Sequence, residues 1–169
     1  MVRKVLMTLV AIALVAAWGC GTARHSAKVE SGAALRPDVR IKVVDVSNDS
    51  KNLPDVDMIG LLWDSLKEQL YKETLLWTPD TGGTPLLMEA HIIKYKKGDD
   101  IERWFLPGFG STVLSVRCDV KDGDTLVATV EVQRSIAYGD GIEFRAWKKI
   151  FAKVAEDAVR ELRTKLRGA

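Results

Sequence analysis

Histidine and cysteine are almost absent from this chain, and their scarcity removes most site chemistry at the outset. Its 169 residues hold two histidines and two cysteines. Cys20, His25, His91 and Cys118 stand far apart, with no second ligand at metal-binding spacing beside any of them. A nucleophilic triad needs a positioned base, and neither histidine supplies one. His25 falls in a polar stretch, and His91 falls on the more exposed side of a strand pattern. Phosphate-loop, dinucleotide-loop and nucleophile-elbow signatures are missing too. "GDGIEF" lacks the acidic series of a calcium loop and reads as a turn before a helix. Asp99, Asp100 and Glu102 cluster at one hairpin tip, where "KYKKGDD" reads as a charged, solvated turn. The residues therefore point to no catalytic site, no metal site and no bound cofactor.

Excess charge is also missing. The chain carries 25 Lys and Arg against 23 Asp and Glu. Arg3 and Lys4 belong to the leading segment, and without them the two signs balance. No basic stripe remains to attract nucleic acid.

The one long apolar run lies at the start, in "MVRKVLMTLVAIALVAAWGC". A basic pair precedes an apolar core of about 13 residues, short of the roughly 18 that a spanning helix needs and suited to a signal peptide. Residues 1–19 are read as that signal. The ending "AAWGC" resembles the lipobox of bacterial lipoproteins, which implies cleavage before Cys20 and a covalent lipid, palmitate among its acyl chains, on that cysteine. Residue 21 is Gly, not the Asp that commonly retains such proteins in the inner membrane, so the resemblance implies the periplasmic face of the outer membrane. One acyl chain holds a protein only marginally, whereas a multiply acylated cysteine anchors it. With Cys20 modified, Cys118 has no disulfide partner.

Residues 20–38 are small, polar and aperiodic, and read as a flexible tether with a reach of roughly 20–25 Å. A single domain is then expected over residues 39–167. "VRIKVVDVS" alternates in its first half, with Val39, Ile41 and Val43 on one face, as a half-buried strand does. Pro54, Asp55 and Asp57 open a helix whose stripe is Ile59, Leu62, Trp63, Leu66 and Leu70. "TPDTGGTP" is turn chemistry. A strand follows with Leu86, Met88, Ala90 and Ile92 on one face, and His91 and Tyr95 on the other. Another strand places Thr112, Leu114, Val116, Cys118 and Val120 inward, making Cys118 an inert core thiol. Lys121 to Asp124 forms a hairpin turn. The returning strand points Leu126, Ala128, Val130, Val132 and Ile136 inward. Arg134 falls on that inward side, either past the edge of the core or paired with a carboxylate; the first is the preferred reading. Residues 142–166 form a long helix with Phe144, Trp147, Phe151, Val154, Ala158 and Leu162 as its stripe. The order β-α-β-β-β-α predicts an α+β domain: a mainly antiparallel sheet of about four strands with both helices on one face.

One loop breaks the usual polarity of turns. "RWFLPGFG" sets Trp104, Phe105 and Phe109 beside Pro107, Gly108 and Gly110, with Arg103 leading. Phe109 is expected to tuck inward as a lid, while Arg103, Trp104 and Phe105 suit a docking site, since Arg and aromatic side chains anchor interfaces. From about Leu86 to Ile136 the chain resembles a family of bacterial lipoproteins with a domain of unknown function, on this motif and the Asp-Gly hairpin. The resemblance implies an envelope location and brings no activity. A non-catalytic, membrane-anchored module that binds another envelope protein is the leading expectation. A self-assembling subunit of an envelope secretion or channel complex comes second, and an uncharacterised enzyme third.

Overall fold

The computed structural model describes residues 23–29, 39–51, 56–97, 111–136 and 146–167. Five strands form one sheet: β1 (Ala23–Val29), β2 (Ile41–Asn48), β3 (Leu86–Lys96), β4 (Thr112–Asp122) and β5 (Thr125–Ile136), in the spatial order β1-β5-β4-β3-β2. Helices α1 (Met58–Lys72) and α2 (Ala146–Arg167) pack on each other and on the sheet, with a short 3-10 turn at Pro79–Thr81. The α+β class, the mainly antiparallel sheet and the element order follow the expectation. Among the described strands only the β2–β3 pair is parallel. A parallel neighbour requires a crossover, and α1 supplies it.

The tether reading of residues 20–38 fails over Ala23–Val29, which is a fifth strand. It pairs antiparallel with β5 from Ala23↔Arg134 to Val29↔Ala128. "ARHSAKV" has little strand propensity of its own. Its backbone is recruited by the N–H and C=O row that β5 would otherwise expose.

One apolar cluster joins the inner sheet face to both helices. Leu62, Leu66 and Leu70 of α1 and Ile150, Phe151, Val154, Ala158 and Leu162 of α2 are all buried. Each large side chain removed from water contributes about 1.5–3 kcal/mol. Two bulges rewrite the alternation. A shift between Val43 and Asp45 turns Val46 inward and leaves Val44 exposed. A second, between Ile92 and Lys94, brings Tyr95 into the core, 5.8 Å from the Phe151 ring. Tyr95 therefore lies on the face opposite to the one strict alternation gives. A third shift, at Val120/Lys121, buries Val127 and exposes Leu126. In α1, Ile59 is exposed, and Met58 takes its place in the stripe.

Local chemistry closes the elements. Asp57 caps α1 by accepting a hydrogen bond from the Gly60 N–H at 2.8 Å. At the other end Leu75 N–H bonds Leu70 C=O (2.8 Å) and Thr74 N–H bonds Tyr71 C=O (3.0 Å), the paired bonds of a Schellman stop. Thr74 holds the left-handed position at φ 57°, where glycine is usual. Gly123 sits at φ 59° in the two-residue β4–β5 turn, as a hairpin with glycine first requires.

Candidate functional site

The residues singled out in the sequence as functional fall outside the described residues: Cys20, Arg103, Trp104, Phe105, Pro107, Gly108, Phe109 and Gly110. Their neighbours in the chain are described, and topology brings those neighbours together. Ala23 pairs with Arg134, Thr112 with Ile136, and Lys96 with Val113. The start of β1, the end of β5, the start of β4 and the end of β3 thus share one end of the sheet. Neighbouring strands lie about 4.8 Å apart, so Ala23 and Thr112 are separated by roughly 10 Å across the sheet. The connection carrying the aromatic motif leaves from Lys97 and returns at Ser111, at that same end. Helix α2 begins there as well, because Phe151 in its second turn meets Tyr95 near the end of β3. The sequence could not bring Ala23 and Thr112 to one end of the sheet, since the strand that starts at Ala23 has no strand-like pattern.

The outer sheet face holds a polar row that sequence reasoning did not assemble. Ser47, His91, Arg117, Glu131 and Ser26 align across all five strands. His91 lies 2.8 Å through Nδ1 from Ser47 Oγ and 3.3 Å from Asp49 Oδ2. Its Nε2 is 3.8 Å from Asp119 Oδ2. The three residue types of a hydrolytic triad are present, but not its geometry. Ser47 Oγ donates to Asp49 Oδ1 at 2.9 Å, which leaves it an acceptor for His91. The second carboxylate stands beyond hydrogen-bond reach of the ring. Asp119 accepts from Thr129 Oγ1 at 2.7 Å and pairs with Arg117 Nε at 3.2 Å. Lys121 Nζ lies within 2.8 Å of both Glu89 oxygens. This arrangement can fix the strands in register, with the imidazole seated between two carboxylates. Among the described residues no group of three or more His, Cys, Asp or Glu is placed to hold a metal ion.

Beneath the sheet, Arg134 meets the fully buried Asp157 of α2, correcting the preference for a position past the edge of the core. Its Nη2 donates to Oδ1 at 2.8 Å and its Nε donates to Oδ2, while Arg160 also donates to Oδ1. A second inter-element pair, Arg163–Glu73, ties α2 to the end of α1. Cys118 is fully buried, as expected for an inert thiol. Burial, with a smaller push from the Asp119 charge, raises its thiol to about 12.

No protein-family model matches the chain, and no curated protein matches it. Solved structures do. A single-substitution variant of the PelC dodecamer from Paraburkholderia phytofirmans superposes with a TM-score of 0.56 at 16% identity. The match covers 84% of this chain and 98% of that one. A second crystal form of the PelC dodecamer from the same organism gives 0.54 at 13% identity, over 85% and 97%. At such identity the likeness is one of fold.

Proposed function

We propose that this chain is a membrane-anchored, non-catalytic subunit of the bacterial cell envelope, working through protein contacts and assembling with copies of itself. The observation that carries the reading is the fold likeness over nearly the whole PelC chain, whose crystals contain dodecamers. Among the described residues β1 and β2 are the outer strands, β2 being bridged to Leu76 only at Ile41, and edges on opposite sides of one sheet suit head-to-tail association, which forms a ring when the rotation closes. The anchor is a lipid on Cys20, after cleavage behind Gly19, at the periplasmic face of the outer membrane. Only residues 21 and 22 separate Cys20 from β1, a span of about 10 Å at full extension. The end of the sheet that emits the aromatic segment therefore lies close to the membrane. Arg103, Trp104 and Phe105 form the docking site for an envelope partner, with Phe109 turned inward.

Two experiments separate the parts of this reading. Light scattering on the detergent-solubilised, lipid-bearing protein is expected to give one oligomer of fixed size; a monomer throughout the micromolar range would refute self-assembly. In-cell crosslinking of wild type against a folded, membrane-attached Trp104→Ala, Phe105→Ala variant is expected to lose a defined partner only in the variant. Matching profiles would make the loop a lid and remove the docking site.

A further inference from the structure

The two outer strands of the sheet carry opposite charge. β1 contains Arg24 and Lys28 and no acid, whereas β2 contains Asp45 and leads directly into Asp49. The one base of β2, Lys42, lies before the bulge, with its Nζ 5.2 Å from the centre of the Trp77 ring. Asp45 is exposed, and among the described residues no ion pair engages it. From Asp45 onward β2 pairs with Glu89 and the residues after it in unbroken register, and no described strand lies against its outer side. Register brings the charges of the two edges into line. Asp45, Glu89, Asp119, Thr129 and Lys28 form one row across the five strands, beside the row that joins Ser47 to Ser26. Three antiparallel pairs and one parallel pair separate the edges, so β1 runs antiparallel to β2.

We propose that copies of this chain join through a β1–β2 ladder, in which residues 24–28 of one copy pair antiparallel with residues 45–49 of the next. The inference rests on the self-assembly reading and names the surface that performs it. A second copy set beside the first in the same orientation brings its β2 against β1 in the antiparallel sense. Continuing the rows without stagger places Ser26 opposite Ser47 of the second copy, Lys28 opposite its Asp45, and Arg24 opposite its Asp49. The alternative pairings are unfavourable. Two β1 strands paired about Ser26 oppose Arg24 to Lys28, and two β2 strands paired about Ser47 oppose Asp45 to Asp49. Like charges directly across a ladder destabilise it, and opposite charges stabilise it. Charge on an edge strand blunts indiscriminate pairing; here it rejects each edge's union with itself and admits the head-to-tail one. The ladder also satisfies the outward backbone N–H and C=O groups of both edges and keeps the helices of successive copies on one side of a continuous sheet.

The test uses Ser26→Cys and Ser47→Cys variants of the detergent-solubilised, lipid-bearing chain, oxidised and run on non-reducing gels. Cys118 is buried, and wild type serves as the blank. Within one chain the two positions stand four strand spacings apart, roughly 19 Å, beyond the 7 Å or so that a disulfide bridges. Any 26–47 link is therefore between copies. Linked dimers are expected when the two single variants are mixed, and not from either alone; the double variant should give a series of bands up to the full oligomer. Charge reversal supplies an independent reading. Asp45→Lys or Lys28→Asp should each weaken association roughly 10-fold per contact, and the two together should restore it. Restoration by the second reversal separates a lost interface from a misfolded chain. Strong linking of either single variant to itself would overturn the proposal, because like edges would then be meeting. An oligomer of fixed size that neither links in the mixture nor responds to reversal would overturn it too, leaving self-assembly intact. A monomer throughout the micromolar range would instead remove the self-assembly reading, and this inference with it.

Discussion

Removing the Asp157 carboxylate alone should be far more damaging than removing the whole ion pair. Its side chain is completely buried, while Arg134, which grips both oxygens, is 22% exposed and Arg160 is 57% exposed. Asp157→Ala takes the carboxylate away from the mostly buried Arg134 guanidinium, and breaking a buried ion pair by removing one partner costs about 3–5 kcal/mol. For a domain of this size that is a fall of roughly 10–20 °C in Tm. Arg134→Met combined with Asp157→Leu removes both charges and keeps apolar volume, and such replacements are often neutral or stabilising. Arg160→Ala should cost at most about 1 kcal/mol, because solvent screens that arm of the cluster. Urea unfolding followed by tryptophan fluorescence measures all three. The reasoning is refuted if Asp157→Ala costs less than about 1 kcal/mol, or if the double variant is as unstable as the single one. Arg134 lies directly opposite Ala23. The same substitution should therefore speed amide exchange in β1.

Cys118 gives a pH prediction with a definite sign. Its thiol is held at about 12 against an ordinary 9.0, so the folded state keeps a proton that the unfolded state releases. The contribution is complete below pH 9 and is lost as pH rises toward 12, at about 1.4 kcal/mol per pH unit. Denaturation of Cys118→Val over that range should show a shallower alkaline decline than wild type; parallel declines would refute the assignment. Thr74 occupies a left-handed stop position without glycine's freedom. Thr74→Gly should then raise stability by about 1 kcal/mol in the same assay, and a loss would show that the Thr74 hydroxyl bond to Glu73 C=O outweighs the strain.

The sheet and helices were legible where one periodicity ran unbroken. β4 shows this best, with every second residue from Thr112 to Val120 inward, as does the Leu62–Leu66–Leu70 stripe. Errors cluster at bulges, because one extra residue inverts every side chain beyond it. That is why Tyr95 and Val127 are buried and Leu126 is not. Arg134 was placed inward by alternation, but its partner lies 23 residues away on α2, and periodicity holds no information on which carboxylate will come to meet it. The Ser47–His91–Asp119 grouping is hidden for a related reason. It arises from the register of three strands, and the sequence shows each strand separately.

β1 is the omission with the largest consequence for function. "ARHSAKV" has the composition of a linker, and its structure is dictated by the unpaired edge of β5. A flexible tether would have let the domain roam some 20–25 Å from the bilayer in any orientation. A strand in its place would make a lipid on Cys20 an extension of the sheet. With Cys20 lipidated, the sheet end from which residues 98–110 emerge has little freedom to turn away from the membrane. A partner that docks on Arg103, Trp104 and Phe105 must then approach along the membrane surface, which favours another anchored or integral envelope protein over a freely diffusing one. Replacing residues 21 and 22 with a long Gly-Ser linker separates the alternatives. If capture of a membrane-bound partner depends on the short connection, it should fall while folding and anchoring persist; unchanged capture would show that the loop finds its partner without help from the bilayer.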